Sequence, residues 1–127
     1  MHHPSFDRIA PPSKAALCIS LIGMAGVGKS TIGMLLAREL DWAFVDSDHL
    51  IEALYGTRLQ TITDELGKEA FLDVEDGVVS SLRLQRTVIA TGGSVVYRER
   101  CMRRLQEMGP IIYLDAPLEI IEERIDR

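Results

Sequence analysis

The sequence predicts an α/β fold, a three-layer α/β/α sandwich built on a parallel sheet, and three observations carry that prediction. Apolar, β-prone runs alternate with stretches of helical periodicity, which implies strands paired in parallel through right-handed crossovers. The first run is apolar at almost every position, as a strand covered on both faces must be. It passes directly into a glycine-rich loop and then a helix, so strand, loop and helix form one continuous unit.

That first strand covers residues 15–22 and ends at Gly23. From Lys29 onward, Ile32, Leu35, Leu36 and Leu40 recur at helical spacing with Arg38 and Glu39 between them, so a helix runs to about Leu40. Residues 42–45 make a second short strand that closes on Asp46-Ser47-Asp48, where Ser47 or Asp48 is expected to cap the helix holding Leu50, Ile51 and Leu54. Gly56 stops that helix. Residues 59–66 read as a short helix, and Gly67 divides it from a longer one over 68–85 with Phe71, Val74, Val78, Val79 and Leu82 on one face. The β-branched run 87–91 is the third strand, closed by Gly92-Gly93, and a helix follows over 98–108. Gly109-Pro110 ends it, residues 111–114 form a fourth strand, and Pro117 suits the first turn of a last helix reaching Arg127.

With 127 residues the chain has room for one domain and one core. Residues 1–14 hold three prolines and little apolar pattern and are expected to be a flexible tail, leaving 15–127 as the folded domain. A net charge of -5 argues against broad binding to nucleic acid, which needs clustered Lys and Arg. The one basic cluster, Arg98, Arg100, Arg103 and Arg104, reads as a solvated helix face. The two cysteines, Cys18 and Cys101, show no metal-ligand spacing and suit a reducing cytoplasm. His2-His3 reads as incidental. The longest apolar run is far short of the ~20 residues a membrane helix needs, and the start lacks the pattern of a secretory signal, so no membrane partner is expected.

The loop Gly23-Met24-Ala25-Gly26-Val27-Gly28-Lys29-Ser30-Thr31 fits the spacing of a phosphate-binding loop, and each fixed position has a physical reason. Gly23, Gly26 and Gly28 let backbone N–H groups turn inward around phosphate oxygens, and the following helix points its positive end at them. Lys29 is placed to reach the terminal phosphates of ATP, and the Ser30 hydroxyl to ligate Mg2+. The fold is therefore expected to be of the P-loop NTPase type. Asp46 and Asp48 stand at a strand end on the same sheet edge, where open parallel sheets bind ligands. One carboxylate there can hold the metal, directly or through water, while the other accepts a proton or hydrogen bond from an acceptor hydroxyl. Ser20, Ser47, Thr91 and His49 have no partners that would make them nucleophiles or bases, and read as structural, capping or surface residues.

The loop from Gly26 to Thr31, Asp46-Ser47-Asp48 followed by Ile51-Glu52, Gly67 with Phe71 and Glu75, and Ala90-Thr91-Gly92-Gly93 occur in an order and spacing that resemble the shikimate kinase family over residues 15–127. The resemblance implies ATP-dependent phosphorylation of a shikimate hydroxyl. It puts Lys29 and Ser30 on ATP and magnesium, Asp46 near the metal, Asp48 on the attacking hydroxyl, and the amides of Gly92 and Gly93 toward the acceptor. Arg124 matches the family arginine at the start of a lid lying against the nucleotide. Gly23, Gly26, Val27, Gly28 and Thr31 complete the expected ATP site.

Three departures from the family pattern stand out. Leu72 occupies the position of an arginine that pairs with the shikimate carboxylate, and Ser94 replaces the third glycine of a triplet. The family pattern also continues into a lid, a fifth strand and a closing helix, so this sequence reads as incomplete at its C-terminus. Losing a charge-assisted pair removes about 1.5–3 kcal/mol, which keeps other small hydroxyl acceptors such as homoserine or gluconate in play. A nucleotide-binding module or degenerate paralogue without catalysis is the rival outside the enzyme class. The expected partners are ATP and a small hydroxyl-bearing metabolite, and the expected state is a monomer. The resemblance implies four strands in the family order 2-3-1-4, however, which would leave the last strand an exposed edge that invites association.

Overall fold

A computed structural model describes residues 17–24 and 28–115. The tail, residues 25–27 of the loop, the helix expected after Pro117 and Arg124 lie outside the described residues. Strands β1 (Ile19–Gly23), β2 (Ala43–Asp46), β3 (Thr87–Ala90) and β4 (Ile111–Leu114) form one sheet in the order β2-β3-β1-β4. Every pairing is parallel, with Leu21 opposite Ala90 and Ile112, and Val45 opposite Ile89. This is the expected order, and β4 is an edge on which Ile112 and Tyr113 are exposed.

Side chains alternate across the strands, so each face of the sheet needs its own cover. Leu21 and Val88 point to the face covered by α1 (Lys29–Leu40), where Ala37, Ile32, Leu36, Trp42 and Phe44 pack against them. Cys18, Ile22 and Ile89 point to the other face and meet Val79 and Leu82, together with Cys101, Leu105 and Met108. Those partners come from α4 (Lys68–Ser80), the turn after it, and α5 (Glu99–Met108). Burying each large apolar side chain contributes about 1.5–3 kcal/mol, so both faces matter to stability. Helices α2 (Ser47–Tyr55) and α3 (Leu59–Leu66) connect β2 to α4.

Several boundaries differ from expectation for local reasons. The cap of α2 is Asp46, not Ser47 or Asp48: its Oδ1 accepts the N–H groups of Asp48 (2.9 Å) and His49 (3.2 Å). Helix α4 stops at Ser80, short of residue 85. The Ser81 hydroxyl takes the Gly77 carbonyl at 2.6 Å, the Ser81 N–H turns instead to Val78, and Arg104 Nε holds the Leu82 carbonyl at 2.6 Å. A short 3-10 turn, Val95–Tyr97, precedes α5 because Val95 is pulled fully into the core. The Glu52 carboxylate accepts the Leu59 N–H at 2.8 Å and so caps α3 from the neighbouring helix.

Candidate active site

β1 delivers the chain to the loop, and α1 begins where the loop ends. Gly28 stands just before α1 with φ 86, a left-handed conformation that glycine adopts without strain. Lys29 is buried, and its Nζ donates to the carbonyls of Gly23 (2.6 Å) and Met24 (2.9 Å), folding the ammonium back over the loop. Burial pulls the Lys29 pKa below its ordinary value, and the carboxylates of Asp48 and Asp46 act in the opposite sense.

Ser30, one residue on, donates its hydroxyl to Asp46 Oδ2. Asp46 thus divides its two oxygens, one capping α2 and the other meeting the first turn of α1. Two hard oxygen donors side by side fit Mg2+, which takes few protein ligands and keeps waters and phosphate oxygens for the rest.

Asp48 lies on the first turn of α2, where burial first, and then the Asp46 carboxylate, raise its pKa above the usual aspartate range. Across from it the chain turns at Gly92. A Cβ there would stand 2.8 Å from Asp48 Oδ1 and 2.5 Å from Glu75 Oε2, so two carboxylates converge on the space that glycine leaves open. The Gly92 N–H donates to the buried Ser47 hydroxyl at 3.1 Å. Of the two amides expected to face an acceptor, that of Gly92 is therefore engaged within the protein in this structure. Thr91 holds the turn to β1 through N–H and Oγ1 bonds to the Leu21 carbonyl, at 3.2 and 3.0 Å.

A cleft of about 300 Å³ gathers these groups, with Gly28, Lys29, Ser30 and Thr31 along one wall and Asp46, Asp48, Thr91, Gly92 and Gly93 along the other. Gly23 sits at the end of β1, and its carbonyl holds Lys29. Gly26, Val27 and Arg124 lie outside the described residues. His49 is exposed, as a surface residue should be. Each arginine of the basic run has an acidic partner: Arg98 with Asp73, Arg100 with Asp76, Arg103 with Glu99 and Arg104 with Glu107.

Sequence reasoning did not anticipate Ser47 as the support of the Gly92 turn, nor the Ser94 hydroxyl as a donor to the buried Glu75 carboxylate. A buried acid at an i+3 spacing from Leu72 was the available signal, because that spacing puts both on one helix face. Burial raises the Glu75 pKa, the Ser94 hydrogen bond opposes it, and the charge of Asp48 adds to it.

A sequence profile described as shikimate kinase matches residues 25–127. The chain belongs to the shikimate kinase family. Among curated members, the shikimate kinase of Paracidovorax citrulli is 44% identical over 112 residues, 86% of this chain and 61% of the relative. That of Microcystis aeruginosa is 41% identical over 114 residues, 89% of this chain and 60% of the relative. Solved family structures agree in fold. Shikimate kinase from Acinetobacter baumannii in complex with shikimate aligns at TM-score 0.75 and 32% identity, covering 90% of this chain and 64% of that one. The enzyme from Aquifex aeolicus aligns at 0.72 and 31% identity, covering 83% and 63%. This family member therefore spans about six tenths of the length of the relatives it matches. Among the described residues no helix is long and apolar enough to cross a membrane.

Proposed function

We propose that the protein is an ATP-dependent kinase that phosphorylates a hydroxyl of shikimate, giving shikimate 3-phosphate on the route to aromatic amino acids. The observation that carries this reading is the 300 Å³ cleft, which faces a phosphate-binding wall with a carboxylate of raised pKa and a glycine turn. Membership of the shikimate kinase family and the fold shared with a relative solved in complex with shikimate support it.

In this reading Lys29 leaves the Gly23 and Met24 carbonyls for the terminal phosphates of ATP, which the glycine loop with Gly23, Gly26, Val27, Gly28 and Thr31 cradles, with Arg124 lying against the nucleotide. Ser30 and Asp46 hold magnesium, which when bound offsets charge on the phosphate oxygens. Asp48 orients the acceptor hydroxyl and takes its proton as the hydroxyl oxygen bonds to the terminal phosphorus and the bond to the ADP oxygen breaks. A carboxylate whose pKa is raised above the usual aspartate range is a stronger base than an ordinary aspartate. The Gly93 amide and the open space at Gly92 position the acceptor. The site of action is the cytoplasm.

Leu72 favours a second reading, a kinase for another small hydroxyl acceptor such as homoserine or gluconate whose anchoring need not use that position, because it removes the charged partner the family pattern gives shikimate there. Coupled ADP release with ATP and magnesium separates the readings. Turnover that depends on shikimate supports the first, turnover only with another acceptor supports the second, and nucleotide binding without turnover would leave a binding module.

A further inference from the structure

Leu72 shares an open cleft of about 590 Å³ with Lys68, Glu69, Asp73, Ser94 and Arg98. This cleft adjoins the phosphoryl-transfer site through a continuous set of contacts. Ser94 follows Gly93 in the chain and donates to Glu75, and a Cβ built on Gly92 would lie between Glu75 Oε2 and Asp48 Oδ1. The charge of Arg98 also acts on Glu75, opposing the effect of burial. A molecule with its hydroxyl at Asp48 and its body over the Gly93-Ser94 turn would direct its far end into the cleft that Arg98 lines.

We propose that the Arg98 guanidinium anchors the carboxylate of the acceptor, in place of the side chain missing at position 72. The inference rests on the kinase reading above for the presence of such an acceptor. Arg98 is well placed for the role. Its backbone N–H is fixed on the Val95 carbonyl at 3.0 Å, so the 3-10 turn sets where its side chain starts. The side chain is only 32% exposed, whereas its partner Asp73 is 78% exposed and touches one guanidinium nitrogen at 3.4 Å. That distance exceeds the 2.7–2.9 Å of a strong charge-assisted bond, and an exposed single contact of this kind holds little. A ligand carboxylate meeting both prongs of the fork replaces Asp73 with a better partner. Arg100, Arg103 and Arg104 line a different groove, with Ser80, Leu84 and Glu107. Leu72 then serves as an apolar wall for the carbon skeleton.

The test is shikimate affinity of the full chain by titration calorimetry, with magnesium and a non-hydrolysable ATP analogue, alongside KM from ADP release. Arg98→Met should raise Kd and KM for shikimate tenfold or more while nucleotide affinity stays within about twofold. Arg98→Lys should recover only part of the loss, since a point charge does not reproduce the fork. Asp73→Asn, at an exposed position, should tighten shikimate by freeing Arg98, a change of sign that a structural role for Arg98 would not produce. The wild-type chain should prefer shikimate to its carboxamide, and Arg98→Met should not. Unchanged shikimate affinity in Arg98→Met with turnover retained would overturn the anchor and leave the kinase reading standing. Carboxylate-dependent binding that Arg98→Met abolishes, in a chain that never turns over, would keep the anchor and overturn the proposed reaction. A wild-type chain that binds no shikimate would overturn both.

Discussion

The two walls of the cleft are held in place by different kinds of bond. On the wall that the kinase reading assigns to the nucleotide, the main chain does most of the holding: Lys29 is tied to two backbone carbonyls, and the amide end of α1 opens behind a left-handed Gly28. On the wall it assigns to the acceptor, and in the cleft adjoining that wall, the ties are between or onto side chains, with Ser47 beneath Gly92, Ser94 on Glu75 and Asp73 against Arg98. A wall built from backbone suits any phosphate and tolerates little variation in its glycines. A wall built from side chains can be retuned one residue at a time, and Leu72 and Ser94, both departures from the family pattern, line the cleft that adjoins it.

Asp48 stands on the wall opposite Lys29 and should give the largest effect. Asp48→Asn keeps the shape but removes the proposed base, and turnover should fall about 10²–10⁴-fold with nucleotide affinity retained, as single-turnover kinetics and nucleotide titration would read. If nucleotide affinity falls equally, Asp48 belongs to the nucleotide wall. Gly92→Ala comes next. Its methyl would press on Glu75 and Asp48, and displacement of that order lowers acceptor turnover by as much as about 10²-fold. Unaltered nucleotide binding in the same variant would sharpen the division, and a parallel loss would erase it.

Ser47→Ala leaves the buried Gly92 N–H without its acceptor and should destabilise the fold by about 1–3 kcal/mol, measured by denaturant unfolding. An unchanged midpoint would mean that the turn holds without the side chain. The smallest effect is expected of Glu75→Gln. The Glu75 pKa is raised in the folded state, so its carboxyl favours folding below the usual glutamate range and loses that contribution as pH rises through the raised value. The amide should therefore raise Tm modestly at neutral pH, and the gain should vanish on acidification. A gain that persists in acid would point to packing instead of charge.

The same division explains what was legible beforehand. The strand order follows from the family resemblance, whereas parallel pairing, the start of α1 and the end of α3 follow from periodicity and from glycines, which act locally. The overlong α4 does not, because its end depends on a Ser81 hydroxyl competing for a helical carbonyl and on Arg104, more than twenty positions away, holding Leu82. Lys29, Ser30, Asp46 and Asp48 could be gathered from a motif and a strand end. Ser47 under Gly92 could not, since that bond spans 45 positions and nothing in either neighbourhood marks it. Asp46 as the cap of α2 was missed by one or two residues, within the range over which any of three adjacent polar side chains could have served.

Cys18, just before β1, and Cys101, in α5, are both 0% exposed and belong to one hydrophobic cluster, and the Cys18 N–H donates to the Met108 carbonyl at the end of α5. Burial raises both thiol pKa values, and the neighbouring Asp76 helps push Cys101 up to about 12. Thiolates, not thiols, react with alkylating reagents, so neither sulfur should be labelled while the core is closed. The rate of thiol modification is accordingly a clock for opening of this layer, and simultaneous labelling of both cysteines would show that β1 and α5 separate as one cooperative unit.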